Sequence, residues 1–187
     1  MRPIHTLILV LCLLMSGGCA TWRPGGSAFP HPEGYTLTVP AGWTFHPAVS
    51  GTDLLATRDG LLLQNLKVNT FKLPYTLPYS KTILTSSLSF YEIIEIAVAE
   101  GKADQSLTGF TVSTQTPVTI GALPGLRYDY HFTTDDGLRQ SARRWVVPRG
   151  EKLWLATYIA PARHYFERDL AAVTAAIENT SFRPAGQ

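Results

Sequence analysis

The residues best suited to chemistry lie in one stretch, Leu126 to Val147. Leu126–Thr133 alternates strictly: Leu126, Tyr128, Tyr130 and Phe132 share one face, and Arg127, Asp129, His131 and Thr133 share the other. That period of two predicts a strand. Asp135-Asp136-Gly137 turns the chain, and Arg139–Val147 returns as a partner carrying Arg139, Arg143 and Arg144. Depending on register, Asp129 faces Arg143 or Arg144. Guanidinium forks beside a carboxylate and an imidazole would make a small acid–base or anion-binding patch from Arg127, Asp129, His131, Arg143 and Arg144. The plainer reading, and the preferred one, is a sheet face laced with cross-strand ion pairs, each worth about 0–1 kcal/mol when exposed. A helix covering that face would bury the pairs in part. A hydrolytic relay of His131, Asp129 and a hydroxyl such as Ser141 would require all three to converge within hydrogen-bond reach.

Other candidate chemistry is sparser. The chain contains no Gly-x-Ser-x-Gly, His-Glu-x-x-His, P-loop or dinucleotide-binding fingerprint. Its five histidines are His5, His31, His46, His131 and His164. No two stand four residues apart, so a metal site would need distant segments to converge, and no metal ligand is assigned. Asp135-Asp136 with Glu33 or Glu151 falls short of a calcium loop and reads as a turn whose glycine accepts positive φ. Glu92, Glu95 and Glu100 read as the wet face of a helix. Arg163-His164 precede a helix at the end where the dipole disfavours cations, and could reach toward a loop or an anion. Trp43, Phe45, Tyr75, Tyr79 and Trp154 would mark a partner surface only if several were exposed together. No catalytic residue and no cofactor is assigned. A formal charge of +2 argues against a nucleic-acid binder, which needs a strong basic footprint.

Local pattern predicts the strands and helices around the Leu126–Val147 stretch. Tyr35–Val39 alternates as a strand ended by Pro40 and Gly42, and Asp53–Arg58 reads as a second strand closed by an Asp59-Gly60 turn. Leu61–Leu73 reads as a long third strand, broken by Pro74 and Pro78. Lys81–Gly101 changes to a helical period, with Leu84, Leu88, Tyr91, Ile94 and Val98 on one stripe and Gly101 as its stop. Phe110–Gln115 and Pro117–Ile120 are extended. Arg149-Gly150 turns the chain into a strand over Lys152–Ile159. A last helix runs roughly over Ala162–Asn179, with Phe166, Leu170, Val173 and Ile177 at helical spacing. Hairpin turns dominate and βαβ alternation is absent, which predicts an α+β domain, an antiparallel sheet flanked by helices. Its 187 residues suit one domain.

The front of the chain is an address. Arg2 precedes an apolar run from Ile4 to Met15 that is too short to span a bilayer, the pattern of a secretory signal peptide. Ser16-Gly17-Gly18-Cys19-Ala20 resembles a bacterial lipobox, with Ser16 where Leu is usual. By that resemblance residues 1–18 are a leader and Cys19 is acylated. Multiple acyl chains would anchor the chain, since each buried CH₂ contributes about 0.8 kcal/mol. Cys12 leaves with the leader, so the mature chain has no disulfide, cysteine nucleophile or cysteine-based zinc site. Ala20 in place of Asp favours outer-membrane delivery, by resemblance to the enterobacterial sorting pattern. Residues 19–34, rich in Pro and Gly, read as a flexible tether, with Trp22 at the membrane surface or docked on the domain. Residues 35–183 form the single domain.

The segments GYTLTVPAGW, DGLLLQNLKVNTFKL, PVTIGALPGLRYDYHF, KLWLATYIAP and IENTSF, in that order around a mid-chain helix, resemble the PsbP/DcrB-like α/β/α sandwich. The resemblance spans roughly Tyr35–Phe182 and carries no catalytic signature. It implies a non-enzymatic binding or assembly accessory. The expected protein is therefore an envelope lipoprotein on the periplasmic face of the outer membrane. It would be held there by Cys19, have an envelope protein as partner, and bind no nucleic acid. A small-ligand or lipid-binding module, with an apolar pocket under the first helix and the Pro74–Pro78 loop, is the alternative. A hydrolase ranks third.

Overall fold

Alternating side chains build the molecule around one sheet. The computed structural model describes residues 21–184; the leader, Cys12, Cys19 and Ala20 lie outside the described residues. The strands are β1 (Arg23–Pro24), β2 (Ala28–His31), β3 (Tyr35–Thr38), β4 (Thr44–Val49), β5 (Thr52–Thr57), β6 (Asn65–Lys72), β7 (Tyr75–Thr76), β8 (Ile83–Leu84), β9 (Thr108–Ile120), β10 (Leu123–Thr133), β11 (Arg139–Arg149), β12 (Lys152–Pro161) and β13 (Ser181–Phe182). The helices are α1 (Phe90–Ala103) and α2 (Tyr165–Glu178). Eight strands pair antiparallel in the order β1-β4-β5-β6-β12-β11-β10-β9. A smaller sheet, β13-β3-β2, and the β7–β8 hairpin complete the fold.

Both faces of the large sheet are covered. On one, Trp43, Phe45, Trp145, Trp154 and Tyr158 pack with Tyr35 and Leu37 of the small sheet and with Phe166, Val173 and Ile177 of α2. On the other, Tyr128, Tyr130, Phe132 and Val146 pack with Leu84 and with Ile93 and Ile94 of α1. The fold is the expected α+β arrangement of an antiparallel sheet flanked by helices.

The structure departs from expectation at several boundaries. Residues 19–34 are not all tether: Arg23 pairs with Phe45 and Phe29 with Leu37, so the domain takes in the chain from Arg23. Pro24 and Pro30 sit on edge strands, where a missing N–H costs no ladder bond, and Pro32 lies in the turn after β2. Gly25 is required there, because a Cβ would meet the Pro40 carbonyl oxygen at 2.3 Å. Leu61–Leu63 form a turn and not the start of the third strand. The amides of Leu63 and Gln64 both donate to the Gly60 carbonyl, leaving Leu62 94% exposed. Thr44–Val49, left unassigned by pattern, is a strand.

The first helix begins at Phe90 and not at Lys81. Ser89 accepts from the Glu92 amide while the Glu92 carboxylate accepts from the Ser89 amide, a reciprocal capping box. Ile83–Leu84 pair instead with Tyr75–Thr76. Ile93 and Ile94 face inward, and Tyr91 of the expected stripe is exposed. The two extended segments around Thr116 are one edge strand, β9, which tolerates Pro117 for the same reason as above.

One buried carboxylate pins α2 to the β5–β6 turn. Asp169 is 2% exposed. Its Oδ1 accepts from Arg58 Nη1 at 2.7 Å, and its Oδ2 from Gln64 Nε2 at 2.9 Å and Arg168 Nε at 2.9 Å. Arg168 also reaches Asp59. Truncating Asp169 strands the buried Gln64 amide and leaves the Arg58 guanidinium without its counter-charge, while Arg168 keeps Asp59. Asp169→Ala is therefore expected to cost about 2–4 kcal/mol in urea unfolding, against under about 0.5 kcal/mol for the exposed Glu95→Ala. A loss for Asp169→Ala no larger than the control would contradict this role.

Candidate functional site

The β10–β11 register decides where the candidate residues go. Asp129 pairs with Arg143, and Tyr128 with Arg144. Directly opposed residues share a face, so Arg143 joins Arg127, Asp129 and His131 under α2, while Arg144 points to the α1 side. The five-residue patch expected from sequence is thus split between two faces.

Under α2 the polar groups are tied to one another. Arg143 Nε donates to Asp129 Oδ1 at 2.6 Å and Nη2 to Oδ2 at 2.7 Å, a bidentate fork. Nη1 reaches the Thr174 hydroxyl of α2 at 3.1 Å. The Asp129 carboxylate, bonded directly, holds Arg143 above its ordinary pKa despite burial. Arg127 Nη1 donates to Glu178 Oε1 at 2.8 Å, and Trp145 Nε1 to the same oxygen at 3.2 Å. These bonds fasten α2 to the sheet.

His131 Nδ1 lies 2.9 Å from the buried Ser141 Oγ, since the two residues face each other in register. No hydrogen bond joins His131 to Asp129, whose two oxygens are both engaged by Arg143. The three groups of the conceivable relay do not assemble. His131 does line a cleft of about 360 Å³ with Thr111, Thr133 and Arg139.

On the α1 side, Arg144 Nε donates to Thr157 Oγ1 at 3.0 Å, Nη1 to Tyr128 Oη at 3.2 Å and Nη2 to Tyr130 Oη at 3.3 Å. Burial works against the Arg144 charge, but the two phenols outweigh it and hold its pKa above the ordinary value. Burial pushes the Tyr130 phenol up, so it is neutral beside Arg144 at physiological pH. Among the described residues Arg144 makes no ion pair. It borders an apolar cavity of about 50 Å³ with Phe71, Tyr75, Leu77, Ile93 and Glu100. This lies where the sequence places a ligand pocket, but ligand sites usually measure about 300–1,000 Å³.

The remaining candidates scatter. Trp43, Phe45 and Trp154 are buried and only Tyr79 of the aromatic set is exposed, so no shared patch forms. Asp135-Asp136-Gly137 is a turn, with Gly137 at φ 84° and Thr134 bonded to Asp136. His164 precedes α2 without a side-chain capping bond. Among the described residues no group of three or more His, Cys, Asp or Glu side chains could hold a metal ion, and no helix is long and apolar enough to cross a membrane. The Asp169 and Glu100 contacts escaped sequence reasoning because both join residues far apart in the chain. The Ser89-x-x-Glu92 spacing was the one local signal available for the start of α1.

These features define a double-covered antiparallel sandwich whose polar sheet face is spent on packing. No family model and no curated protein matches the chain. Solved structures do. Cyanobacterial PsbP (CyanoP) from Synechocystis sp. PCC 6803 superposes with a TM-score of 0.57 at 13% identity, over 89% of this chain and 95% of that one. LpqN, involved in cell envelope biogenesis of Mycobacterium tuberculosis, gives 0.60 at 16% identity over 87% of each chain. PA94 of Pseudomonas aeruginosa, a protein of unknown function and putative regulator, gives 0.51 at 13% identity over 85% of this chain and 98% of that one. The fold is PsbP-like.

Glu100 gives this region a pH dependence. Its Oε1 accepts from the Tyr79 amide at 2.9 Å and its Oε2 from the Ser80 amide at 2.7 Å, tying the β7–β8 loop to α1. Burial pushes the Glu100 carboxyl up, but these hydrogen bonds prevail and hold it below 4.5. A depressed carboxyl stabilises the fold above its unfolded pKa, and that contribution is lost as pH falls through the folded value. Stability measured from pH 6 to pH 3 should fall less steeply in Glu100→Gln than in the wild type, with faster amide exchange at Tyr79 and Ser80. Parallel acid limbs would contradict the assignment.

Proposed function

We propose that the chain is a lipid-anchored accessory of the bacterial cell envelope that works by binding or assembly and carries no chemistry of its own. The observation that carries this reading is the Asp129–Arg143 fork. The acid best placed for catalysis is neutralised by a guanidinium, and His131 is left with a hydroxyl and no carboxylate behind it. The lipobox-like Ser16–Ala20 segment supports the anchor, and Ala20 supports the periplasmic face of the outer membrane. The fold shared with an envelope-biogenesis protein and with CyanoP supports an accessory role with an envelope protein as partner.

A second reading, an amphiphile-binding module, draws on Arg144 at the edge of the apolar cavity beneath α1. At about 50 Å³ that cavity would admit a ligand only if α1 moved.

The anchor is tested by radiolabelled palmitate. The wild type should take up label and sediment with outer-membrane fractions, and Cys19→Ala should do neither. Equal labelling of the two, or none of either, would remove the lipoprotein.

A further inference from the structure

At one end of the large sheet, the β11–β12 turn, the β2–β3 turn and the chain after β13 enclose a cleft of about 700 Å³ lined by Arg149, Lys152, Arg183 and Phe182. The Arg149 guanidinium stacks 4.4 Å from the Phe182 ring centre. Its Nη1 and Nη2 donate to the carbonyls of Glu33 at 3.3 Å and Gly34 at 3.1 Å. Arg183 Nη2 donates to the carbonyls of His31 at 3.0 Å and Pro32 at 3.3 Å. The two forks flank Gly34, which sits at φ +86°. A Cβ there would lie 3.4 Å from Arg149 Nη2 and 4.0 Å from Arg183 Nε, so the glycine keeps the space between the cations open.

Neither guanidinium has an ion pair among the described residues, and neither Nε has a hydrogen-bond partner among them. Burial and the neighbouring Arg183 charge together hold Arg149 below its ordinary pKa, although Glu33 works the other way. Of the carboxylates at the cleft, Glu33 is paired with Lys152 at 2.8 Å and Glu151 is exposed on the turn. Lys72 stands in register opposite Lys152, adding a further cation. Two guanidiniums braced by carbonyls and facing a common space match the oxygens of a phosphate.

Register also says what this end faces. β1 runs antiparallel to β4, with Arg23 beside Phe45 and Pro24 beside Thr44. Followed back toward the N-terminus, the chain passes His46, against which Trp22 packs at 5.9 Å, and heads for the β4–β5 turn. His31 Nε2 bonded to the Asp53 carbonyl at 3.0 Å and Lys72 paired with Lys152 put that turn at the same end as the cleft. Cys19 precedes Thr21 by two residues, a reach of at most about 7 Å. An acylated Cys19 therefore brings the cleft end of the domain to the bilayer, where Trp22, 44% exposed, has the amphipathic character of an interfacial residue.

We propose that this cleft binds the phosphate headgroup of an anionic membrane phospholipid, clamped between Arg149 and Arg183 with Lys152 at the rim. The choice of a lipid as the source of the phosphate rests on the anchor proposed above; the phosphate chemistry does not. The full chain in non-ionic detergent is titrated calorimetrically with dihexanoyl phosphatidylglycerol, dihexanoyl phosphatidylcholine and inorganic phosphate. Phosphatidylglycerol should bind about tenfold more tightly than either of the others. Arg183→Gln, at an exposed position, and Arg149→Gln should each weaken it about tenfold, the loss of one charge-assisted fork, with Arg183→Gln still unfolding cooperatively. Inorganic phosphate binding as tightly as the lipid would overturn the lipid as its source. No binding, or binding indifferent to both substitutions, would overturn the clamp. Loss of the palmitate label with headgroup binding intact would refute the anchor and support the clamp.

Discussion

Burial of the β10–β11 ribbon on both faces governs how the other elements pack. Period two sends Tyr128, Tyr130, Phe132 and Val146 toward α1, and Arg127, Asp129, Arg143 and Trp145 toward α2. Because both faces are covered, a slip of one residue would carry Asp129 into the apolar layer and expose the tyrosines to the polar one. The consecutive residues Arg143 and Arg144 must therefore serve opposite helices. One joins an ion pair under α2, and the other is held by two phenols and a threonine under α1.

The consequence for function is that the polar face is structural before it is anything else. The Asp129 fork, the Thr174 contact and the shared Glu178 oxygen fasten α2 across the sheet, and the Asp169 cluster fastens its first turns to the β5–β6 turn. Three guanidiniums without an ion pair among the described residues lie away from that face. Arg144 is enclosed beside a cavity too small for an ordinary ligand. Arg149 and Arg183 stand open at the end of the sheet toward which the N-terminal segment leads. The proposed phosphate clamp therefore sits at the cationic, chain-entry end, away from His131 and the Asp129 fork.

The parts of the fold written in local pattern were legible. The clean alternation of Leu126–Thr133 gave both faces of β10, the Asp135-Asp136-Gly137 turn gave its hairpin, and Phe166, Val173 and Ile177 gave the buried stripe of α2. Local pattern also limited the Asp129 partner to Arg143 or Arg144. It could not choose, because register is set by what packs on each face. Other elements were hidden by composition. Arg23–Pro24 and Ala28–His31 look like a linker because edge strands tolerate proline. Leu61–Leu63 looks like a strand because apolar residues alone do not reveal a turn closed on the Gly60 carbonyl. Asp169 sits in a helix whose neighbours are charged, and only Arg58 and Gln64, over a hundred residues away, mark it as buried.

Asp129 and Arg143 act as a packing element that fastens α2 to the sheet. The direct measurement is a double-mutant cycle in urea unfolding with Asp129→Ala, Arg143→Ala and the pair. A bidentate, partly buried pair should show a coupling of about 1–2 kcal/mol, with the double variant close to the less stable single one. A coupling below about 0.3 kcal/mol, with both single variants as stable as the wild type, would mean that the pair does not fasten α2.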